Sequence, residues 1–130
     1  MCGPAAGDSQ AVIAIVDDEE SICNALSRLL RSAGFKTMAF SSGREFMARA
    51  AECKPDCVVL DLHMPGLDGF EIHARLQSAL QGANIPVIIL TADSFPDTSA
   101  RAIEQGAYAF LRKPVDDVLL LAAVHAALAT

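Results

Sequence analysis

The chain lacks several features that would assign it to a large class of proteins. No apolar run approaches the ~20 residues that cross a membrane, and the N-terminus has neither the basic nor the apolar region of a secretion signal. Basic side chains are scarce, with 10 against 16 acidic ones and a net charge of -6, so most of the surface should repel a polyanion. These absences predict a cytoplasmic protein that neither enters a membrane nor binds nucleic acid directly.

The four cysteines also lack the spacing of a zinc site. Cys2, Cys23, Cys53 and Cys57 form no CxxC pair, and Cys23 and Cys57 fall inside apolar patterns, where a thiol behaves as a small hydrophobic group. We therefore expect four reduced thiols. A chain of 130 residues makes one ordinary domain, which buries enough surface to fold without disulfides or a structural metal.

What the chain does contain, from Ala11 onward, is an alternation of β-type apolar runs with segments of helical periodicity. Residues 1–10 have no such pattern and predict a mobile leader before a domain over 11–130. Five β/α units in a row favour an α/β fold with a parallel sheet and helices on both faces. The predicted strands cover residues 11–16, 36–40, 57–62, 86–90 and 108–112, and the predicted helices cover 21–32, 43–51, 69–81, 97–105 and 116 or 117 to 128.

Two of the predicted strands differ in a way that indicates their places in the sheet. Residues 57–62 are continuously apolar until Asp61, which is typical of a strand covered on both faces and predicts a central position. Residues 36–40 have polar neighbours and predict an edge strand.

Polar residues gather at one end of the predicted strands. Asp17 and Asp18, Asp61, Thr91 and Lys113 each end or follow a different strand, and ligands of such sheets bind beyond the carboxyl ends of the strands. Carboxylates ~5 Å apart repel by about 3 kcal/mol per pair at an effective dielectric of ~20. A cation in the pocket would offset this repulsion, and a hard divalent ion such as Mg2+ or Mn2+ suits carboxylate oxygens.

Such a pocket suits phosphoryl transfer. A carboxylate can attack phosphorus to form an acyl phosphate, while the metal and Lys113 neutralise the phosphoryl oxygens and the Thr91 hydroxyl donates a hydrogen bond. Each residue also has an ordinary interpretation when taken alone: Asp17 and Asp18 as helix caps, Asp61 as a turn residue, Thr91 as a strand end and Lys113 as a solvated side chain. Their joint placement favours the phosphoryl site.

Four spaced segments closely resemble the response-regulator receiver domain of two-component signalling. They are residues 15–20 (IVDDEE), 60–69 (LDLHMPGLDG), 90–92 (LTA) and 111–114 (LRKP), and the resemblance extends from residue 11 to about residue 128. Residues 106–114 are most similar to nitrogen-fixation regulators, whose output is a helix-turn-helix domain. The resemblance implies a flavodoxin-like doubly wound (βα)5 three-layer sandwich with strand order 2-1-3-4-5.

Carried over residue by residue, the resemblance implies a magnesium-dependent phosphoacceptor. Asp61 would accept a phosphoryl group from a sensor histidine kinase. Asp18 would bind Mg2+ directly, Asp17 would hold a metal-bound water, and the backbone carbonyl of His63 would complete the protein ligands. The resemblance also implies a cis peptide bond at Lys113–Pro114.

Other residues would respond to the phosphoryl group or tune its lifetime. Thr91 and Lys113 would contact it, and Phe110 occupies a switch position where similar proteins often carry Tyr. Without a hydroxyl, Phe110 can signal only by packing inward or outward. His63 and Asp93, two residues after the acceptor and the threonine respectively, should border the pocket and affect access of water; their alternative is an ordinary surface loop.

Three functions stay open at this point. The leading one is a phosphorylation switch whose output face lies on the fourth helix, fifth strand and fifth helix, where it pairs two receivers or binds another partner. It controls a transcriptional output and catalyses only its own phosphorylation and dephosphorylation. The second is a pseudo-receiver that binds a partner without phosphorylation. The third is an aspartate-nucleophile phosphatase, which normally has a second acid where this chain has His63 and carries a substrate cap that this chain has no room for.

Overall fold

The computed structural model of the chain alternates strands and helices along the sequence. It describes residues 11–62, 71–75, 85–92, 100–101, 103–104 and 106–129, with the backbone alone at residues 50, 51 and 53. Helical backbone at residues 71–75 belongs to helix α3, and that at residues 100–101 and 103–104 to helix α4. The other elements are β1 (Val12–Val16), α1 (Glu20–Ser32), β2 (Lys36–Phe40), α2 (Gly43–Cys53), β3 (Cys57–Asp61), β4 (Val87–Thr91), β5 (Ala109–Arg112) and α5 (Asp117–Leu128).

The five strands form one sheet in the order β2-β1-β3-β4-β5, and every neighbouring pair is parallel. This confirms the predicted flavodoxin-like order. β3 lies at the centre with all five residues buried, and β2 is a partly exposed edge strand, both as predicted. The chain runs outward from β1 to β2 and then returns past β1 to β3, so the strand order reverses at β1 and β3. A ligand crevice is expected beyond the carboxyl ends of these two strands.

Two apolar layers cover the sheet because successive side chains of a strand point to opposite faces. In β3, Val58 and Leu60 belong to the layer that contains Phe46 of α2 and Ile72 of α3. Val59 belongs to the opposite layer, where residues of α1 and α5 pack. The α1 and α5 side chains buried in that layer are Cys23, Leu26, Leu30, Leu120, Val124 and Ala127. Helices thus lie on both faces of the sheet, as the alternating pattern predicted.

Helix α1 ends where a glycine allows the chain to reverse toward β2. Gly34 has a φ of 97°, a left-handed conformation that residues with a Cβ rarely adopt. The Phe35 N–H donates to the Leu30 carbonyl at 3.1 Å and the Gly34 N–H to the Arg31 carbonyl at 3.0 Å. These are the two bonds of a Schellman motif, which delivers the chain directly into the edge strand.

A side-chain clamp joins β1 and β3 at the end of the sheet opposite the predicted pocket. The Val12 N–H donates to Asp56 Oδ2 at 2.8 Å, and the Asp56 N–H donates to the Val12 carbonyl at 2.8 Å. These two hydrogen bonds give the N–H and the carbonyl of Val12 partners on the side of β3, because the pairing of β1 with β3 begins only at Ile13 whereas Val12 already pairs with Lys36 of β2. It fixes the register of the two strands that carry the predicted carboxylates.

Several predictions fall partly or wholly outside the described residues. The predicted leader over 1–10 and the residues His63 and Asp93 lie outside the described residues, and so do most of the predicted third and fourth helices. Cys23 and Cys57 are buried free thiols, as predicted. Among the helices described, none is long and apolar enough to span a membrane.

Candidate functional site

Three carboxylates meet at the carboxyl ends of β1 and β3. Asp17 directly follows β1, Asp18 comes next, and Asp61 is the last residue of β3. One ligand oxygen from each lies within 4.8 Å of the others. Asp17 and Asp61 are buried, whereas Asp18 is exposed. The strand reversal therefore places two anionic groups out of water and leaves the third at the mouth of the pocket.

An ammonium group enters this carboxylate cluster from β5. Lys113 Nζ lies 2.8 Å from Asp17 Oδ2, 3.4 Å from Asp61 Oδ1 and 3.6 Å from a carboxylate oxygen of Glu19. The Lys113 N–H donates to the Thr91 carbonyl at 2.8 Å, so the lysine backbone is tied to the end of β4. Its peptide bond to the following proline is cis, as the resemblance implied.

Asp17 is held on every side by hydrogen bonds. Its N–H donates to the Phe40 carbonyl at 3.1 Å, and its own carbonyl accepts from Cys23 Sγ at 3.2 Å. Its two carboxylate oxygens accept from the Glu19 N–H at 2.9 Å and from Lys113 at 2.8 Å. Asp17 is not the cap of α1, because the N-cap residue is Glu19; one oxygen of Asp17 accepts from the N–H of that residue, and the other accepts from Lys113 in the pocket.

The pocket keeps its lysine charged but stays anionic. Burial alone would lower the pKa of Lys113, yet the hydrogen bond to Asp17 and the charges of Asp61 and Asp17 outweigh burial and raise that pKa above its ordinary 10.5. Lys113 therefore carries its charge throughout the neutral range. Without the exposed Glu19, the three aspartates and the lysine have a formal charge of 1 − 3 = −2, which a single divalent cation would neutralise.

The residues present fit a magnesium-type ion. Hard cations take carboxylate oxygens, and oxygens on opposite sides of Mg2+ are separated by about 4 Å, so a spread of 4.8 Å among the three ligand atoms needs little adjustment. Within the described part of the chain, Asp18 has no hydrogen bond or ion pair to break on binding a metal. The aspartate cluster agrees with the acidic magnesium pocket that the resemblance to receiver domains implies.

Thr91 and Phe110 lie beside the cluster on β4 and β5. Thr91 is buried at the end of β4, one residue beyond the Leu90 that pairs with Asp61. Phe110 is half-buried and packs inward against the layer that contains Ile89, its partner in register. Because Ile89 and Thr91 are two apart on one strand, Thr91 and Phe110 share a face of the sheet. The structure thus brings Asp17, Asp18, Asp61, Thr91 and Lys113 to one edge of the sheet, while Phe110 lies on the same face as Thr91 but at the level of Ile89, in the middle of β4.

Two contacts of the pocket escaped the sequence analysis. Glu19 reaches Lys113 although it is an ordinary surface glutamate by sequence, and the Cys23 thiol bonds the Asp17 carbonyl although its pattern indicated only a core position.

Comparisons with known proteins agree with this geometry. The family described as the response regulator receiver domain matches residues 13–125. The chain is 35% identical over 121 residues to Response regulator protein TmoT of Ectopseudomonas mendocina, covering 93% of this chain and 54% of TmoT. It is 35% identical over 119 residues to Transcriptional regulatory protein TdiR of Thauera aromatica, covering 92% of this chain and 52% of TdiR.

A solved structure agrees as well. The crystal structure of a response regulator receiver protein from Burkholderia phymatum is 39% identical with a TM-score of 0.81, covering 92% of this chain and 96% of that one. The chain spans about half the length of the two curated relatives. From the strand order, the carboxylate cluster with its lysine and these matches, we conclude that the chain belongs to the response regulator receiver domain family.

Proposed function

We propose that this domain is a phosphorylation switch in which Asp61 accepts a phosphoryl group from a sensor histidine kinase. One observation carries the proposal: the Lys113 ammonium bridges Asp17 and Asp61 inside a cluster of three carboxylates. A merely structural ion pair would need one carboxylate. The excess of negative charge costs stability in the absence of a cation, and the site is explained if it serves a metal and a phosphoryl group.

The residues divide the metal-binding work according to their contacts. Asp18, which is exposed, and Asp61 are the direct carboxylate ligands. Asp17, which has both oxygens engaged, would hold a metal-bound water, and the resemblance to receiver domains assigns the His63 carbonyl as the remaining protein ligand. When bound, Mg2+ (or Mn2+) supplies positive charge next to the phosphoryl oxygens.

The transfer itself needs few protein groups. An Asp61 carboxylate oxygen forms a bond to phosphorus while the bond from phosphorus to the donor nitrogen breaks, and the donor imidazole leaves with the bonding electrons. Lys113, anchored by Asp17, neutralises charge on the phosphoryl oxygens. The Thr91 hydroxyl donates a hydrogen bond to the group on Asp61. The domain thus catalyses its own phosphorylation and later its own dephosphorylation, in which water hydrolyses the acyl phosphate on Asp61.

The switch would follow from repacking of residues on one face of the sheet. When Thr91 is drawn to the phosphoryl group it vacates space on the face that it shares with Phe110, whose ring reports the change by moving further inward. α4, β5 and α5 form the output face. Exposed apolar side chains on or next to these elements support a role in pairing two receivers, namely Ile103, Tyr108, Val118 and Leu119.

Pairing is tested by the oligomeric state before and after phosphorylation. Sedimentation of the parent should shift toward a dimer after treatment with Mg2+ and acetyl phosphate. Val118→Glu places a charge on the output face and should reduce dimer formation without reducing phosphorylation. A Val118→Glu protein that dimerises as well as the parent would argue against this face.

We further propose a transcriptional output of the helix-turn-helix type. The curated relative TdiR is named a transcriptional regulatory protein, and residues 106–114 are most similar to nitrogen-fixation regulators. In this proposal residues 11–130 are the receiver, residues 1–10 are a leader, and the domain works in the cytoplasm and does not itself bind nucleic acid.

His63 and Asp93 are assigned to the lifetime of the phosphoryl group. Their side chains would border the pocket and control the access of an attacking water. Asp93→Ala should change the half-life of the acyl phosphate relative to the parent, and the half-life is measured after the phosphodonor is removed. Identical half-lives would reject this assignment for Asp93.

The main test is intact mass after incubation with Mg2+ and acetyl phosphate. The parent should gain one phosphoryl group and Asp61→Asn should gain none, whereas Asp117→Asn, a change at an exposed carboxylate on α5, should label as the parent does. Unchanged labelling of Asp61→Asn would refute the acceptor assignment. No labelling of the parent would favour the pseudo-receiver, and release of phosphate from many donor molecules per chain would favour the phosphatase.

A further inference from the structure

Glu19 stands at the start of α1, where its carboxylate is not used to cap the helix and can reach Lys113. Its N–H donates to Asp17 Oδ1 at 2.9 Å, and its carbonyl accepts from the N–H groups of Ile22 and Cys23 at 3.1 Å each. Its backbone is thus fixed before and after the residue. Its side chain makes no capping bond, and although 59% exposed it reaches Lys113 Nζ at 3.6 Å.

The three carboxylates around Lys113 differ in where they lie. Those of Asp17 and Asp61 are buried under the ammonium, whereas that of Glu19 lies on the solvent side. An incoming phosphodonor approaches Asp61 from solvent, because the strands and both apolar layers close the other sides. Glu19 therefore puts a negative charge at the rim of the pocket, where it also shares the ammonium that the phosphoryl oxygens require.

A fixed negative charge at the rim acts on a donor in proportion to the charge of that donor. Coulomb repulsion is linear in each charge, so a dianion meets twice the barrier of a monoanion at the same distance. The repulsion is also screened by salt, since the carboxylate is largely in water. Neither the dependence on donor charge nor the screening by salt would result if Glu19 only supported the start of α1.

We propose that Glu19 sets the charge preference of the phosphorylation reaction and disfavours small dianionic donors. The inference rests on the proposed function of Asp61. In each reaction an Asp61 oxygen bonds to phosphorus. Acetate leaves dianionic acetyl phosphate with the electrons of the broken P–O bond, and ammonia leaves monoanionic phosphoramidate with those of the P–N bond. Its consequence is that acetyl phosphate labels this receiver more slowly, relative to phosphoramidate, than it would without the charge of Glu19.

The test compares the two donors on Glu19→Gln, which keeps the size of the side chain and removes its charge. At low ionic strength and at Mg2+ concentrations that saturate each variant, phosphorylation should accelerate about four-fold with acetyl phosphate and about two-fold with phosphoramidate. The donor rate ratio should thus rise about two-fold. At ~1 M salt, where the Debye length is about 3 Å, the difference from the parent should largely vanish.

Two further variants separate charge from structure. Glu19→Asp keeps the charge at the rim and should keep the rate ratio of the parent. Glu20→Gln removes the next carboxylate, which has no ion pair within the described part of the chain, and should alter the ratio less than Glu19→Gln does.

The outcomes distinguish this inference from the function on which it rests. A parent that neither donor labels would refute the proposed function and the inference with it. A parent labelled at Asp61 whose donor ratio is unchanged by Glu19→Gln would refute the inference alone. The same holds if Glu19→Asp and Glu19→Gln change the ratio equally, because position rather than charge would then be responsible.

Discussion

Lys113 Nζ donates a 2.8 Å hydrogen bond to Asp17 Oδ2, which joins residues 96 positions apart in the sequence. The lysine side chain is 12% exposed and that of the aspartate 1%. Since the pair is nearly out of water, each partner depends on the other for compensation of its charge. The bond also links the first and the last strand of the chain, which are not neighbours in the sheet.

Replacing Lys113 with Gln should destabilise the metal-free protein. Breaking a buried ion pair by removing one partner costs about 3 kcal/mol, and the remaining carboxylates also lose the charge that offsets their repulsion. The free energy of unfolding is measured by urea denaturation in EDTA and in saturating Mg2+, and Mg2+ should restore part of the loss. Lys54→Gln, at an exposed lysine, is the control; equal losses in the two variants would contradict the prediction.

Asp61→Asn should have the opposite effect and stabilise the metal-free protein. At a dielectric of ~20, two repulsions of about 3 kcal/mol or more each from Asp17 and Asp18 exceed one attraction of about 5 kcal/mol to Lys113, since one oxygen of each carboxylate lies within 4.8 Å of the others and Lys113 Nζ lies 3.4 Å from Asp61 Oδ1. We expect the free energy of unfolding to rise by about 1 kcal/mol in EDTA, and this rise to disappear or reverse in Mg2+. The same urea titrations measure it, with Asp117→Asn as the control. A loss of stability in EDTA would show that the lysine attraction dominates.

The stability of the fold should fall at alkaline pH partly through Cys57. Burial raises the pKa of this thiol from 9.0 to about 12, so between these values the unfolded chain releases a proton that the folded chain retains. A raised pKa in the folded state gives stability that is complete below pH 9.0 and is lost above it, by about 1.4 kcal/mol per pH unit.

The measurement for Cys57 is the pH dependence of unfolding in the parent and in Cys57→Ala. The variant is expected to start from a lower stability because it leaves a cavity, but its profile from ~pH 8 to ~pH 10 should be flatter. Lys113 also lowers stability as the pH approaches 10.5, because its pKa is raised in the folded state, but this contribution is common to both proteins and cancels in the comparison. Parallel profiles would exclude a contribution from the thiol.

Asp116 should contribute to stability as the N-cap of α5. Its carboxylate accepts a hydrogen bond from the Leu119 N–H at 3.1 Å, and replacing such a cap with Ala costs about 1 kcal/mol. Asp116→Asn retains an acceptor and should behave nearly as the parent. Asp117→Ala removes an acidic residue of the first turn without removing the cap bond and should cost only a few tenths of a kcal/mol. Similar losses for Asp116→Ala and Asp117→Ala in urea denaturation would be evidence against the cap.

The strands were predictable where burial leaves a simple pattern. β3 and β4 are covered on both faces, so their sequences are apolar without interruption, and polar neighbours marked β2 as an edge. The predicted ends of several strands differ from the observed ends by one residue. The fourth strand was predicted to begin at Pro86 but begins at Val87, because proline has no N–H to donate to the ladder.

Contacts between distant residues were not predictable from periodicity. The Asp56 clamp on Val12 joins residues 44 apart, and nothing in the local sequence of either residue indicates the other. Glu19 has the composition and exposure of an ordinary surface residue, and only the path of β5 brings Lys113 to it. The carboxylate cluster itself was foreseeable because the strand-end rule converts sequence position into spatial position, and no similar rule exists for a rim residue.

The placement of Lys113 after the last strand has a consequence for the timing of function in a newly made protein. Asp17, Asp18 and Asp61 are all synthesised before the second half of the domain exists, and they gain their ammonium partner only when β5 docks against β4 through the Lys113 N–H and the Thr91 carbonyl. A ribosome-bound or truncated chain without β5 has an incomplete pocket. The pocket is therefore completed in the same step as the sheet, and a chain that lacks β5 cannot bring its buried carboxylates and its ammonium together.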